Sequence, residues 1–134
     1  MEQSAFTNRD GFTLIEFLVA IVIMMIGILA LLEMVNVAIK VNMENQLRNE
    51  AVMVADGVMA LEMTKPFALI STNVTPNTST VNRPINKALK PFTITKTGSS
   101  VSSTAKSVDV SVSWSYKNIT NSHSIRSLLS AYGQ

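Results

Sequence analysis

An apolar stretch of twenty-one residues follows a mostly polar head of eleven at the start of the chain. In residues 12–32 the only polar side chains are Thr13 and Glu16. As a helix, this stretch would span about 31 Å, close to the thickness of the hydrocarbon core of a bilayer. An ionised carboxylate is costly in hydrocarbon, so a glutamate there is expected to have a partner and a task. The pattern therefore predicts a membrane-spanning helix that carries a functional acid at Glu16.

A second apolar pattern continues beyond the membrane segment at helical spacing. Most steps are three or four residues, which predicts an amphipathic second half of the same helix. Pro66 is expected to end it, because the residue before a proline avoids helical geometry. One helix of about fifty residues would be roughly 75 Å long. The stripe consists of Val37, Val41, Leu47, Ala51, Val54, Val58 and Leu61.

The remainder of the chain predicts a small antiparallel sheet. Residues 71–104 are rich in Ser, Thr and Asn and contain three prolines, which indicates a loop that holds one short strand at 92–96. Residues 108–116 alternate strictly between apolar and polar side chains and predict a strand. A turn at 117–121 then leads to a third strand at 122–129. We expect Val54, Val58 and Leu61 to form the floor under residues 108–116, which gives an α+β fold.

Charge and composition narrow the classes of function. The chain has no cysteine, so disulfides and thiol chemistry are excluded. After Met63 there are eight basic residues and one acid, Asp109, whereas six of the nine acids lie in residues 16–62. This basic distal part could pack against a neighbour or attract a polyanion, but a solvated lysine-rich surface is the favoured interpretation.

No pattern in the chain predicts catalysis, a metal site or a cofactor. His123 is the only histidine and has no acidic cluster near it in sequence, so it is expected to be a solvent-facing strand residue. Trp114 and Tyr116 could stack on bases, but their alternating positions favour a place in the core. We therefore expect a protein that is not an enzyme.

Residues 11–35 read GFTLIEFLVAIVIMMIGILALLEMV and closely resemble the N-terminus of type IV pilins and pseudopilins. The similarity is most specific over residues 11–16. The segment LVAIVIMMIGILAL is most similar to minor pilins of the PilV family and to one class of minor pseudopilin in type II secretion systems. About a fifth of the chain carries this resemblance strongly.

The resemblance implies a role for three residues. A prepilin peptidase is expected to cut between Gly11 and Phe12, after which the new amine of Phe12 is methylated. Glu16, the fifth residue of the mature chain, is expected to meet the N-terminal amine of a neighbouring subunit. Pairing these two charges removes much of the cost of burying each, and only one stagger of adjacent helices brings them together.

The chain departs from the family pattern in three ways. Asp10 precedes Gly11, where a basic residue is common; the first helical half has no proline; and the absence of cysteine rules out a disulfide-closed C-terminal loop. The last two departures favour a minor subunit over the main filament subunit.

The sequence thus predicts a PilV-like minor subunit of a type IV pilus. Alternatives are a minor pseudopilin of a type II secretion system, a DNA-binding pilin, and a plain single-pass anchored protein. The expected segments are a leader (1–11), a transmembrane assembly helix (12–35), its amphipathic continuation (36–65) and a distal globular domain (66–134).

The expected partners are other pilin subunits, the prepilin peptidase and methyltransferase, and the inner-membrane assembly platform; nucleic acid is not among them. The expected location is the inner membrane, with a cytoplasmic N-terminus, followed by a filament that crosses the periplasm to the cell surface.

Overall fold

The computed structural model describes residues 13–70 and 72–131. The elements are a helix α1 (Leu14–Met63), a 3-10 turn (Phe67–Leu69) and four strands: β1 (Asn77–Ile85), β2 (Ala88–Ser102), β3 (Ala105–Tyr116) and β4 (Ile119–Ser130). The predicted α+β class, a long N-terminal helix with an antiparallel sheet, is confirmed. The chain divides into two compact units, Met1–Lys40 and Val41–Gln134.

The helix α1 is built from residues that favour helix, and its two ends have local hydrogen bonds. Ala, Leu, Met and Glu predominate in it. At its C-terminal end the Thr64 amide donates to the Ala60 carbonyl at 3.2 Å, and the Thr64 hydroxyl donates to the Leu61 carbonyl at 2.8 Å. Pro66 follows, and the helix stops at Met63, two residues before the predicted end at residue 65.

The sheet is a four-stranded antiparallel meander in the order β1-β2-β3-β4. Two-residue turns at Asn86–Lys87 and Lys117–Asn118 join β1 to β2 and β3 to β4, and all four of these residues have a positive φ. Positive φ at both central residues is the requirement of a type I′ turn, whose twist matches that of the strands it joins. Local turn geometry therefore sets the register of both hairpins.

The core of the distal unit lies between the second half of α1 and one face of the sheet. The alternation in β3 is confirmed, because Val108, Val110, Val112 and Trp114 are buried while the residues between them are not. The Phe92 and Trp114 rings pack with centroids 6.3 Å apart and tilted by 42°. The helix contributes Leu47, Ala51, Val54, Ala55 and Met59.

The prediction of a loop with one short strand in residues 71–104 is wrong. This region contains β1 and the long strand β2. Ser and Thr alternate there with only a few apolar residues, so the period-two signal is weak. Pro84 lies on β1, an edge strand, where a missing N–H can be tolerated. The sheet consequently has four strands rather than three.

The predicted apolar floor is wrong at one position. Val54 is buried and Val58 is partly buried against the core, but Leu61 is 67% exposed. Four residues after Val58 comes Glu62, which is buried in its place. A carboxylate therefore occupies a core-facing position on the helix.

Candidate assembly site

Thr13 and Glu16 form a reciprocal pair of hydrogen bonds at the start of α1. The Thr13 amide donates to Glu16 Oε2 at 2.9 Å, and the Glu16 amide donates to Thr13 Oγ1 at 3.3 Å. The Thr13 hydroxyl also donates to Glu16 Oε2 at 3.1 Å. This arrangement is a capping box, which satisfies two backbone N–H groups that have no partner within the helix.

The capping box gives Glu16 a structural task within its own chain. A carboxylate near the N-terminus of a helix also interacts favourably with the helix dipole. The Thr-x-x-Glu spacing ahead of an apolar run is itself a capping signal, and it stands at residues 13–16. Our interpretation of the sequence used this stretch only as an assembly motif and so missed the role of Thr13.

The described part of the first unit, residues 13–40, presents a mostly apolar surface. Every side chain in it is exposed except Ile21, which is half-buried. The helix is long and apolar enough to cross a membrane, and no residue of its most apolar 18-residue segment is buried in the protein. Ile15, Val19, Ala20 and Ile23 line a shallow apolar groove beside Glu16. Such a surface requires lipid or other helices to cover it.

The other predicted site residues lie outside the described part of the chain. Gly11 and Phe12 fall among residues 1–12, so the predicted cleavage, the methylation and the contact of Glu16 with a neighbouring amine stay predictions. Only Glu16 is placed, in the first turn of α1 with its carboxylate directed to Thr13.

A second polar cluster lies in the distal unit, outside the apolar segment. Glu62 is 5% exposed, and its carboxylate receives two ammonium groups. Lys65 Nζ lies 2.8 Å from each carboxylate oxygen, and Lys96 Nζ lies 2.7 Å from Oε1. Burial raises the pKa of Glu62, but the hydrogen bonds and charges of Lys65 and Lys96 outweigh it and hold the pKa below its ordinary value.

One pattern in the sequence indicates the buried position of Glu62. Glu62 continues the series Val54 and Val58 at a step of four, which marks it as core-facing. Its partner Lys96 lies thirty-four residues away, on a strand for which the sequence predicted only residues 92–96. The contact forms only when β2 packs against α1, and no local pattern predicts that packing.

The structure also places the aromatic and histidine residues that the sequence singled out. Trp114 is buried, as predicted. The expectation that His123 faces solvent is wrong, because His123 is half-buried on β4 and lies opposite the buried Val112. Within residues 13–70 and 72–131, no group of three or more His, Cys, Asp or Glu side chains is placed to hold a metal ion.

The N-terminal segment of the chain matches a known protein family. Residues 6–32 match the family described as the prokaryotic N-terminal methylation motif. This match indicates a type IV pilin-like prepilin, a class whose members are structural and are processed by a prepilin peptidase. It covers about a fifth of the chain, including Gly11, Phe12 and Glu16. Neither a curated protein nor a solved structure matches the chain significantly.

Proposed function

We propose that this protein is a PilV-like minor structural subunit of a type IV pilus. The observation that carries the proposal is the coincidence of three features in residues 6–32. The segment matches the methylation motif, Glu16 lies in the first turn of α1, and the apolar side chains of residues 14–32 are exposed except for the half-buried Ile21. A filament core of like helices would cover this surface and give the acid a partner.

Assembly would proceed in four steps. The precursor inserts into the inner membrane with its leader in the cytoplasm, and a prepilin peptidase releases residues 1–11. The amine of Phe12 is methylated. The apolar helix then leaves the lipid and packs among the helices of other subunits, delivered by the inner-membrane assembly platform. The contact of Glu16 with a neighbouring amine sets the stagger of adjacent helices.

Two features of the chain favour a minor subunit. The apolar helical half contains no proline, and the chain contains no cysteine to close a C-terminal loop. The distal unit is also small, with a four-stranded sheet on one helix.

Mass spectrometry of the mature N-terminus tests the proposal. Protein recovered from the membrane of cells with a functional prepilin peptidase should begin at Phe12 and carry one added methyl group. Protein from cells without the peptidase is the matched control. It should begin at Met1, or at Glu2 if Met1 has been removed. A mature chain that begins elsewhere than Phe12 would remove the basis of the proposal.

A minor pseudopilin of a type II secretion system is the alternative that shares the same N-terminal physics. Deleting the genes of each machine separately distinguishes the two. If the subunit no longer enters a filament when the pilus genes are deleted, but still does so when the secretion genes are deleted, it belongs to the pilus. The reverse result would assign the chain to secretion.

The basic distal part offers less charge to a polyanion than its composition suggests. Six of its eight basic side chains contact groups of the same chain: Lys65 and Lys96 contact Glu62, Arg83 contacts Glu50, Arg126 contacts Asp109, Lys106 donates to the Phe67 and Ile70 carbonyls, and Lys117 lies over the Tyr116 ring. A DNA-binding pilin is therefore not our proposal. Salt-dependent binding of DNA to the full chain would contradict this judgement.

A further inference from the structure

A polar pocket in the distal unit lies beside the Glu62 cluster. It has a volume of about 490 Å³, within the range of small-molecule sites. Its walls come from the end of α1 and the residue Lys65 that follows it, from the segment before β1 and the start of β1, and from β2 and β3. The Gly98 amide donates to the Asn73 carbonyl at 3.1 Å, which holds that segment against β2. The pocket therefore has a built wall rather than a chance gap between loops.

The pocket carries a net positive charge at one end. Its charged residues are Glu62, Lys65 and Lys96, so one carboxylate faces two ammonium groups. An ammonium has three hydrogens, and Lys96 uses one of them on Glu62 Oε1 at 2.7 Å. The Lys96 side chain is 31% exposed, so the group remains accessible from the pocket. The ion pair with the buried Glu62 restrains Lys96 and so reduces the entropy cost that a ligand would incur in ordering this side chain.

The rest of the pocket is lined by amide and hydroxyl residues. Asn73, Thr75 and Asn77 contribute to it, and Asn77 lies directly opposite Lys96 in the register of β1 and β2. The apolar contribution among the lining residues is limited to Pro76 and Val108. A peptide terminus would need an apolar subsite for its side chain, whereas a polyhydroxyl ligand can use amides and hydroxyls throughout.

We propose that this pocket binds a carboxylated sugar of the uronic acid class, with the ligand carboxylate on Lys96 and its hydroxyls on Asn73, Thr75 and Asn77. The proposal does not depend on the assembly role of α1. The expected dissociation constant is on the order of 1 mM for one sugar unit, because the ligand has few atoms and the site is open.

Titration of the full chain in detergent micelles with sodium glucuronate tests the proposal. The reporters are the backbone amide signals of Thr97 and Gly98, at constant ionic strength. These signals should shift and saturate with glucuronate. Glucuronamide, which has the same hydroxyls without the charge, should bind about tenfold more weakly. No saturable shift with glucuronate, or an equal response to inorganic phosphate, would overturn the assignment.

Variants locate the site. Lys96→Gln should weaken glucuronate binding about tenfold. Lys90→Gln is the matched control, because Lys90 lies on the same strand and the same face, six residues away, and should change binding less than about twofold. Asn77→Ala leaves the three charged side chains intact and should weaken binding about threefold. If Lys96→Gln fails to fold, the test rests on Asn77→Ala. Unchanged glucuronate binding by Asn77→Ala would then refute the proposal.

Discussion

Lys96 on β2 places its Nζ 2.7 Å from Glu62 Oε1 on α1, so a charge-assisted hydrogen bond joins the helix to the sheet at the edge of the core. Lys65 holds the same carboxylate from the next turn of chain. Glu62 is 5% exposed, so its charge would be strongly unfavourable without these two lysines, whereas the lysine side chains are 43% and 31% exposed and keep contact with water. The two lysines therefore stabilise the charge of Glu62 in the folded distal unit.

We expect Glu62→Gln to lower the free energy of unfolding by about 2 to 3 kcal/mol, because two ammonium groups would lose their counter-ion. Asp109→Asn is the matched control. It removes the contact of Asp109 with Arg126, whose side chain is 74% exposed, and should cost less than about 1 kcal/mol. Urea unfolding of the full chain in mild detergent measures both. Equal losses in the two variants would show that Glu62 has no special role.

The same cluster predicts a dependence of stability on pH. The pKa of Glu62 lies below its ordinary value of 4.5 in the folded protein. A carboxyl with a lowered folded-state pKa contributes its stability in full above the unfolded-state pKa and loses it as the pH falls through the folded-state pKa. Stability should thus fall below about pH 4.5, and by less in Glu62→Gln. Unfolding curves at pH 7, 5 and 3 compare the two proteins; identical losses would contradict the assignment.

The hairpin turns provide a test of the fold itself. Lys87 has a φ of 66°, a left-handed conformation that costs a side-chain-bearing residue energy and glycine none. Lys87→Gly should raise the free energy of unfolding by about 1 kcal/mol. Asn86→Gly should raise it less, because asparagine tolerates this region better than lysine does. Destabilisation by Lys87→Gly would indicate a different turn.

Sequence reasoning succeeded for elements with a strong local pattern and failed for contacts between distant parts of the chain. The end of α1 and the strand at residues 108–116 were predicted to within three residues, because apolar periodicity is a local signal and both elements show it clearly. The β1-β2 hairpin was missed, since its residues are mostly polar and its turn pair, Asn86–Lys87, lacks glycine. The Glu62 cluster was missed because Lys96 comes near Glu62 only when the sheet packs against α1.

Residues 13–16 carry the sequence signal of a capping box, but these residues were interpreted only as part of the assembly motif. Thr13→Val removes the hydroxyl with little change of shape. The Glu16 amide should then exchange with solvent roughly fivefold faster, as expected for the loss of a cap. Thr13→Ser retains the hydroxyl and should restore protection. Hydrogen exchange in micelles measures both, and unchanged exchange in Thr13→Val would show that the cap does not form there.

The central claim is that Glu16 directs assembly of this chain into a filament, and the most direct test compares two charge deletions in one helix. Glu16→Ala and Glu33→Ala each remove one acid from an exposed position in α1. The measurement is the amount of subunit in sheared filaments relative to the amount in the membrane. We predict that Glu16→Ala is retained in the membrane while Glu33→Ala is incorporated normally. Incorporation of Glu16→Ala at the level of the unaltered protein would contradict the account.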